Sequence, residues 1–531
     1  MKSSDTGLFG IGEEQLLLVI AILVGIYSGL AVVSFRLAIE WIRFALIGSS
    51  LQPALPRVVL APVAGGLAVA ALVVLAFPAV RGSGVNQTKA ALYIYDGYIA
   101  FRTVIGKFVT CALAIGSGHS LGPEDPALQI GAGLASAFGR AFRLSRERVR
   151  YIPPIGAAAG LAAAFNSPIT AVLFVIEEVI GRWTAGVLGA VVLSAVASVV
   201  TEQWFLGDEP LFRIPVYHLV HASELIAYAA LGLLGGAVSL VFVKAVAALR
   251  PRFRALPPWT RYVQPALAGL FIGIVAIRFP QVMGAGYEYI DRAMRDEYGW
   301  RTLAALCLLK VLTTTASFVS GTPGGLFAPT LFIGAMLGGA VCGIERLVAP
   351  NVTGPIGAYA LVGMGTVFAG ILRAPMTSVF MIVEVSGNYS IILPVMISNT
   401  IAYLVSRRFQ QHALFDVLSR QDGTELPSME EERESGVLTV GEAMRPPDTL
   451  SREQLAPLVA EPPYLYPDQT IGAALRVLRG RPMAPVVHRA DPRRVVGILI
   501  VQDVIKSAHD GVEPPMAGDD DADIPKHEVR K

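Results

Sequence analysis

Apolar residues are gathered in long segments over the first 420 positions of the chain, and polar residues dominate the remainder. The clearest apolar segments are residues 15–33, 58–77, 187–200, 225–243, 266–277, 303–318, 358–371 and 391–405. A transmembrane helix needs roughly 20 predominantly apolar residues. The pattern therefore predicts an all-α, polytopic membrane part followed by a smaller water-exposed part.

Several of these segments are shorter than a full span, and glycine, proline or a charged residue interrupts many of them. Backbone groups cannot be left unpaired in lipid, so interrupted helices occur only where protein or a water-filled cavity covers them. Transporters build ion sites from such half-helices near the middle of the bilayer. The 53 glycines and 35 prolines favour broken helices over simple spans.

Charge divides the chain at the same place. Residues 1–420 carry 30 basic and 21 acidic side chains, whereas residues 421–531 carry 13 basic and 20 acidic ones. Of all 531 residues, 53% are hydrophobic and 16% are charged, against roughly 25% charged in a soluble protein. This composition excludes a single soluble enzyme. The overall net charge of +2 and the acidic second part speak against a nucleic-acid partner.

Two parts of the chain repeat each other. Residues 107–134 and 310–337 share eleven of 28 positions, including the pairs Lys107/Lys310, Gly122/Gly325 and Pro126/Pro329. A second match, at an offset of 207, relates Ser167-Pro168-Ile169-Thr170 and Glu177 to Ala374-Pro375-Met376-Thr377 and Glu384. We therefore expect two related halves, at roughly 57–205 and 260–420. The residues alone leave open whether the halves are parallel or inverted.

Three glycine-rich turns precede apolar helices, at residues 81–86 (RGSGVN), 116–126 (GSGHSLGPEDP) and 320–329 (SGTPGGLFAP). Proline is favoured in the first turn of a helix, where the backbone N–H groups are unpaired and the helix dipole is positive. Two such helix starts that converge in a membrane would form an anion site, and the Ser83 hydroxyl could donate to the anion. Helix capping and close packing explain each turn taken singly.

Four glutamates are candidates for a role inside the membrane: Glu124, Glu177, Glu178 and Glu384. Glu124 stands at a turn where it would compete with an anion for the same N–H groups, although a plain helix cap is the simpler alternative. An ionisable residue inside a membrane indicates a functional site. Glu177 and Glu178 follow the apolar run 169–176, and Glu384 ends the matching run. For these three, an interfacial or ion-paired role stays open.

Taken in order, these motifs resemble those of the CLC family of chloride channels and proton-coupled chloride transporters, over roughly residues 15–420. The family's Gly-Ser-Gly-x-Pro motif resembles residues 82–86, and its Gly-x-Glu-Gly-Pro motif resembles residues 122–126. Its Gly-x-Phe-x-Pro motif resembles residues 325–329. The segment 165–178 resembles the family segment that ends in paired glutamates.

The resemblance implies a multi-pass protein of the cell membrane, a homodimer with inverted halves in each subunit and one anion pathway per subunit. By the same resemblance, Glu124 would be the external gate and Glu178 would transfer protons on the internal side. The residues that would bind the anion are Ser83, Gly84, Leu326, Phe327 and Phe415.

The chain departs from the family pattern at positions that bear on ion selectivity and on the gate. Phe415 stands where the family has an anion-contacting tyrosine, so one hydroxyl donor is missing. Asn86 replaces the proline of the first motif, and Pro123 and Asp125 replace the common arginine and glycine around Glu124. The resemblance therefore leaves anion selectivity open.

Residues 439–444 (TVGEAM) and 495–503 (VVGILIVQD) resemble parts of a single CBS module at 438–510, a small α+β domain that we expect to be cytoplasmic. An acidic linker at 421–437 precedes it, and an acidic tail at 511–531 is predicted to be disordered. Nucleotide-binding modules carry serine or threonine three residues before an aspartate, and Ile500 stands there in this chain. Asp503 could still contact the ribose of an adenine nucleotide, but a structural or dimerising role is favoured.

The resemblance thus implies a chloride/proton antiporter, and we expect no cofactor and no metal. A passive chloride channel, gated by voltage or pH, is the main alternative, and a fluoride or nitrate transporter is a weaker one. A membrane-embedded hydrolase is disfavoured because the chain has no HExxH, GxSxG or P-loop motif. We therefore do not expect an enzyme.

Overall fold

The computed structural model describes residues 13–48, 54–142, 144–181, 185–208, 211–212, 224–351, 353–424, 426, 440–446, 464–467, 469, 471, 474, 478, 481–488 and 491–502. The chain divides into two compact units, Met1–Leu426 and Pro427–Lys531. Asp503 and the tail 511–531 lie outside the described residues, as do most residues of the expected linker.

The described part of the first unit is helical. Its α-helices are α1 (Glu13–Leu46), α2 (Leu55–Ala71), α3 (Gly84–Tyr93), α4 (Phe101–Gly116), α5 (Glu124–Ala141), α6 (Arg146–Phe165), α7 (Pro168–Phe174), α8 (Ala185–Leu206), α9 (Glu224–Arg254), α10 (Gln264–Ala276), α11 (Tyr287–Met294), α12 (Trp300–Val319), α13 (Phe327–Val348), α14 (Ile356–Leu372), α15 (Pro375–Ser386), α16 (Ile392–Phe409) and α17 (Leu414–Gln421). Short 3-10 helices lie at Pro78–Val80, Pro258–Tyr262, Pro280–Val282 and Tyr389–Ile391, and π-helical turns lie at Leu72–Ala76 and Val175–Ile180.

Among the residues that the structure describes, seven helical segments are long and apolar enough to cross a membrane: Glu14–Leu46, Leu55–Ala76, Gly186–Leu206, Glu224–Arg254, Trp300–Val319, Phe327–Val348 and Tyr389–Gln421. Shorter apolar helices lie at Gln264–Ala276, Ile356–Leu372 and Pro375–Ser386. Such short apolar helices are stable in lipid only when neighbouring protein covers their ends. The prediction of a polytopic, mostly helical membrane part is confirmed.

The same order of helices occurs twice. Helix α1 packs on α8 as α9 packs on α16, and α5 packs on α6 as α13 packs on α14. The chain also leaves equivalent helices in the same way. Asn166 ends α6 at φ 52°, and Arg373 ends α14 at φ 57°. A left-handed residue of this kind stops a helix and turns the chain sharply.

Two buried lysines hold equivalent loops in the two halves. The Lys107 Nζ donates to the carbonyl oxygens of Val80 (3.2 Å) and Gly82 (2.9 Å). Lys310, its counterpart in the repeat, donates to the carbonyl oxygens at positions 282 (3.0 Å) and 284 (2.7 Å). A buried ammonium is stable only when oxygens take its protons. The repeat therefore places a lysine that supports the equivalent loop in each half.

The second unit is described in part and contains a β-hairpin. Strand β1 (Met483–His488) pairs antiparallel with β2 (Asp491–Ile500), with Ala484 opposite Leu499. Val440, in the short helix Val440–Ala443, is buried in the same apolar cluster as this hairpin. The hairpin fits a small α+β unit but is too little to identify a CBS module.

Candidate anion site

Gly122 and Gly325 join the starts of two helices. Each glycine donates its N–H to the carbonyl oxygen of the other, at 2.8 Å in both directions. The two segments run antiparallel at this bridge. Because α5 begins at Glu124 and α13 begins at Phe327, the bridge places both helix starts side by side.

The Glu124 carboxylate lies at the start of α13 and is completely buried. Its Oε2 accepts the backbone N–H of Ala328 at 3.2 Å, and its Oε1 accepts the hydroxyl of Tyr287. The first N–H groups of a helix have no partner within the helix and attract negative charge. The chain's own carboxylate thus holds a place that an anion would otherwise find favourable.

Tyr287 was not singled out from the sequence, although a signal for it exists. It ends the segment Gly284-Ala285-Gly286-Tyr287, which repeats Gly82-Ser83-Gly84-Val85 at an offset of 202. The two loops are the ones that Lys310 and Lys107 support. Extending the repeat toward the N-terminus would have revealed the second loop.

Ser83 caps α3 and is bonded to the residue that follows Glu124. The Ser83 Oγ accepts the N–H of Val85 at 3.1 Å and donates to Asp125 Oδ2 at 3.1 Å. Asp125 Oδ1 also accepts the Val85 N–H, at 3.0 Å. Asp125 is completely buried. The Asp125 carboxylate therefore already occupies the hydrogen-bond donors of the Ser83 turn.

Phe327 and Phe415 form an apolar wall beside these groups. Their ring centroids are 6.0 Å apart at an interplanar angle of 69°, and both side chains are buried. The Phe415 carbonyl accepts the Asn86 side-chain amide at 2.8 Å. This bond fixes the segment of Phe415 against α3.

Glu178 is ion-paired in the interior. The Lys89 Nζ donates to Glu178 Oε1 at 2.9 Å and lies 3.8 Å from Asp416 Oδ1. The Lys89 side chain is 1% exposed and the Glu178 side chain 11%. Lys89 lies on α3, and Asp416 follows Phe415. Neither Lys89 nor Asp416 was singled out from the sequence, because nothing local links them to Glu178.

The structure thus brings most of the sequence-predicted site residues together around the starts of α3, α5 and α13. They are Ser83, Gly84, Glu124, Leu326, Phe327 and Phe415. Glu178 is connected to α3 through Lys89.

Two cavities with arginines in their walls lie next to the cluster. A cavity of about 260 Å³ is lined by Pro123 and Tyr287 together with two arginines, Arg36 and Arg43, and two glutamates, Glu40 and Glu288. A smaller cavity of about 50 Å³ reaches Gly82 and is lined by four arginines, at positions 81, 250, 254 and 261. Positive charge in a wall raises the local concentration of anions. The smaller cavity therefore suits an anion, whereas the charges in the wall of the larger cavity balance.

Comparison with known proteins agrees with an anion site. A sequence profile described as "Voltage gated chloride channel" matches residues 65–407. A ClcB-like relative from Ralstonia nicotianae, whose name places it among chloride channel proteins, is 32% identical over 402 residues, which cover 73% of this chain and 93% of the relative. An H(+)/Cl(−) exchange transporter ClcA from Vibrio campbellii is 31% identical over 406 residues, which cover 73% of this chain and 86% of the relative.

A solved structure shares the fold. A slow cyanobacterial Cl−/H+ antiporter superposes with a TM-score of 0.70 at 26% identity, over 76% of this chain and 97% of that one. The match of the family profile covers more than half of the chain, and the relatives are matched over most of their length. The chain therefore belongs to the CLC family, the voltage gated chloride channel family.

Proposed function

We propose that the protein exchanges chloride for protons across a membrane, and that Glu124 couples the two ions. The observation that carries the proposal is the Glu124 carboxylate on the Ala328 N–H, at the start of α13. The names of the Vibrio relative and of the cyanobacterial structure, an exchange transporter and an antiporter, support it.

Glu124 couples the ions because its charge decides what the start of α13 binds. When ionised, the carboxylate takes the Ala328 N–H itself and keeps a free anion out. When protonated, it loses the charge that the helix start attracts, and the anion takes its place. Each exchange of carboxylate for chloride then moves one proton with the side chain, without a metal or a cofactor.

Glu178 supplies the second step for the proton in this proposal. It lies in the interior, ion-paired with Lys89, which also lies 3.8 Å from Asp416. A charged group in the membrane interior is stable only with a partner, and Lys89 is that partner here. The proton route would diverge from the anion route between Glu124 and Glu178, and would lead to the cytoplasm.

The test is to record chloride and proton flux together from proteoliposomes. Glu124→Gln should make chloride flux insensitive to pH and abolish proton transport, because the amide cannot release a proton. Glu178→Gln should abolish proton transport and leave chloride flux measurable. Glu297→Gln is the matched control, because Glu297 is 44% exposed and distant in sequence from both motifs; it should behave as the wild type.

Two outcomes would contradict the proposal. If the wild type dissipates a chloride gradient without moving protons, the protein is a passive channel. If Glu178→Gln still moves protons against their gradient, Glu178 does not have the proposed proton-transfer role. Flux measured with fluoride and nitrate tests the selectivity that Ser83, Asn86 and Phe415 leave open.

We also infer a homodimer in which each subunit has a transmembrane domain (1–420) with two inverted halves, a linker (421–437) and a cytoplasmic CBS-like domain (438–510). The antiparallel bridge of Gly122 and Gly325 supports inversion, and the hairpin of β1 and β2 is compatible with a CBS-like unit.

Light scattering of the purified protein should give twice the chain mass. Calorimetry with ATP should show no binding if the CBS-like domain is structural.

A further inference from the structure

We propose that Asp125 is a tethered anion on the Ser83 side of the site, and that a free anion binds there only by displacing its carboxylate. Asp125 then sets the affinity of the site for anions. This inference rests on the proposed anion site and goes beyond the roles given above to Glu124 and Glu178.

The contacts of Asp125 are those that a bound anion would make. Its Oδ2 accepts the Ser83 hydroxyl at 3.1 Å, and its Oδ1 accepts the Val85 N–H at the start of α3 at 3.0 Å. The carboxylate is completely buried. A hydroxyl together with the first N–H groups of a helix is a donor set for an anion.

Lys107 makes a buried charge acceptable at this point. Its Nζ donates to the Gly82 carbonyl, one residue before Ser83, and its charge acts on Asp125. A buried carboxylate is stabilised by hydrogen bonds and by positive charge nearby. The hydrogen bonds from Ser83 and Val85 therefore hold the carboxylate on the Ser83 turn, with Lys107 as the nearby positive charge.

The loop packs tightly against Asp125. A Cβ atom at Gly84 would lie 2.6 Å from both the Oδ1 and the backbone carbonyl oxygen of Asp125, so only glycine fits against this residue. The repeat-equivalent of Asp125 is Ala328, whose N–H binds Glu124. Consecutive carboxylates from the start of α5 thus occupy two donor sets, Asp125 at α3 and Glu124 at α13.

The two carboxylates differ in what surrounds them. Glu124 reaches across to another helix and touches Tyr287, which lines the larger cavity. Asp125 turns back onto the Ser83 loop. Glu124 therefore occupies the start of α13, whereas Asp125 holds the Ser83 donors as a competing ligand.

The test is calorimetric titration of the purified full-length protein with chloride. Asp125→Asn keeps the size of the side chain and removes its charge. We expect chloride to bind about fivefold more tightly or better, the equivalent of roughly one hydrogen bond. Asp125→Gly removes the competing group altogether and should also tighten binding. Asp208→Asn, a charge removal at an exposed position, is the control and should not change the affinity.

A double-mutant cycle locates the effect. Ser83→Ala should weaken chloride binding more in the Asp125→Asn background than in the wild type, because Asp125 holds the hydroxyl in the wild type. Unchanged or weaker binding in both folded Asp125 variants would overturn the inference, as would a gain that does not depend on Ser83. The flux assay above is a separate test: absent proton transport would refute the exchange mechanism and leave these affinities as they are.

Discussion

Gly122 and Gly325, which hold the same position in the two halves of the chain, donate their backbone N–H groups to each other at 2.8 Å. At this pair the two copies of the repeat contact each other, and the starts of α5 and α13 follow directly from it. The backbone at the site therefore follows the local symmetry of the repeat. The side chains that occupy the site are not symmetric, since Glu124 corresponds to Phe327 and Asp125 to Ala328.

The close approach at this bridge predicts that any side chain at Gly325 lowers the free energy of unfolding. A Cβ at Gly325 would lie 2.8 Å from the Gly122 carbonyl oxygen and 3.0 Å from Asp125 Cβ. Gly325→Ala should destabilise the protein by about 1–3 kcal/mol, as overpacking does, and lower its melting temperature in detergent. Gly189→Ala, in α8 with nothing within 4 Å of the new methyl, is the control. Equal melting temperatures for the two variants would refute the bridge.

Glu177 and Glu384 cap helices in opposite halves, and this reciprocity predicts equivalent losses. Glu177 Oε2 accepts the Thr377 N–H at 2.8 Å, and Glu384 Oε2 accepts the Thr170 N–H at 2.6 Å. Either glutamate changed to alanine leaves the start of the opposite helix without its acceptor. We expect a loss of about 1–3 kcal/mol for each.

Thermal unfolding of Glu177→Ala, Glu384→Ala and the exposed control Glu297→Ala compares these losses. The control should lie within about 0.5 kcal/mol of the wild type. A large effect of one cap and none of the other would show that the two contacts are not equivalent. This pairing also answers the open question about these glutamates: both are bonded across the two halves.

Phe415 predicts that anion binding improves when a hydroxyl is restored. Its ring packs 6.0 Å from that of Phe327, at the wall of the site, and a phenyl ring has no O–H donor. Phe415→Tyr should tighten chloride binding by about 0.5–1.5 kcal/mol, the net value of one hydrogen bond. Calorimetry should show no change for Phe409→Tyr, whose side chain is 63% exposed. Equal affinity in both variants would mean that the position 415 ring does not reach the anion.

The buried Lys89 predicts a large destabilisation when its charge is removed. Lys89→Met would leave Glu178 without the ammonium that lies 2.9 Å from its Oε1, and Asp416 would lose the same countercharge. Breaking one partner of a buried ion pair costs about 3–5 kcal/mol. Lys89→Arg, which keeps the charge, should lose less. A melting temperature of Lys89→Met equal to that of the wild type would contradict the pairing.

The sequence was sufficient for the architecture because the features concerned are local. Apolar segments predict helices, and the repeat at offset 203 aligns Gly122 with Gly325, which the structure pairs. Membership of the CLC family, inferred from the motifs, is confirmed by the family profile.

The contacts of Asp125, Lys89 and Tyr287 could not be predicted in this way. Each joins residues that are far apart in the chain, such as Lys89 and Glu178 or Tyr287 and Glu124. The sequence showed Asp125 as a departure from a motif, but not that its carboxylate faces Ser83. Which loop a side chain meets depends on how whole helices pack, and a local pattern does not contain that information.

The most direct test of the exchange mechanism uses the wild-type protein in liposomes with high chloride inside, low chloride outside and equal pH. Valinomycin with equal potassium on both sides holds the membrane potential near zero. Outward chloride flow through an exchanger must bring protons in, so the external solution should become alkaline, and a protonophore should abolish the change. Chloride efflux with no alkalinisation would contradict the mechanism.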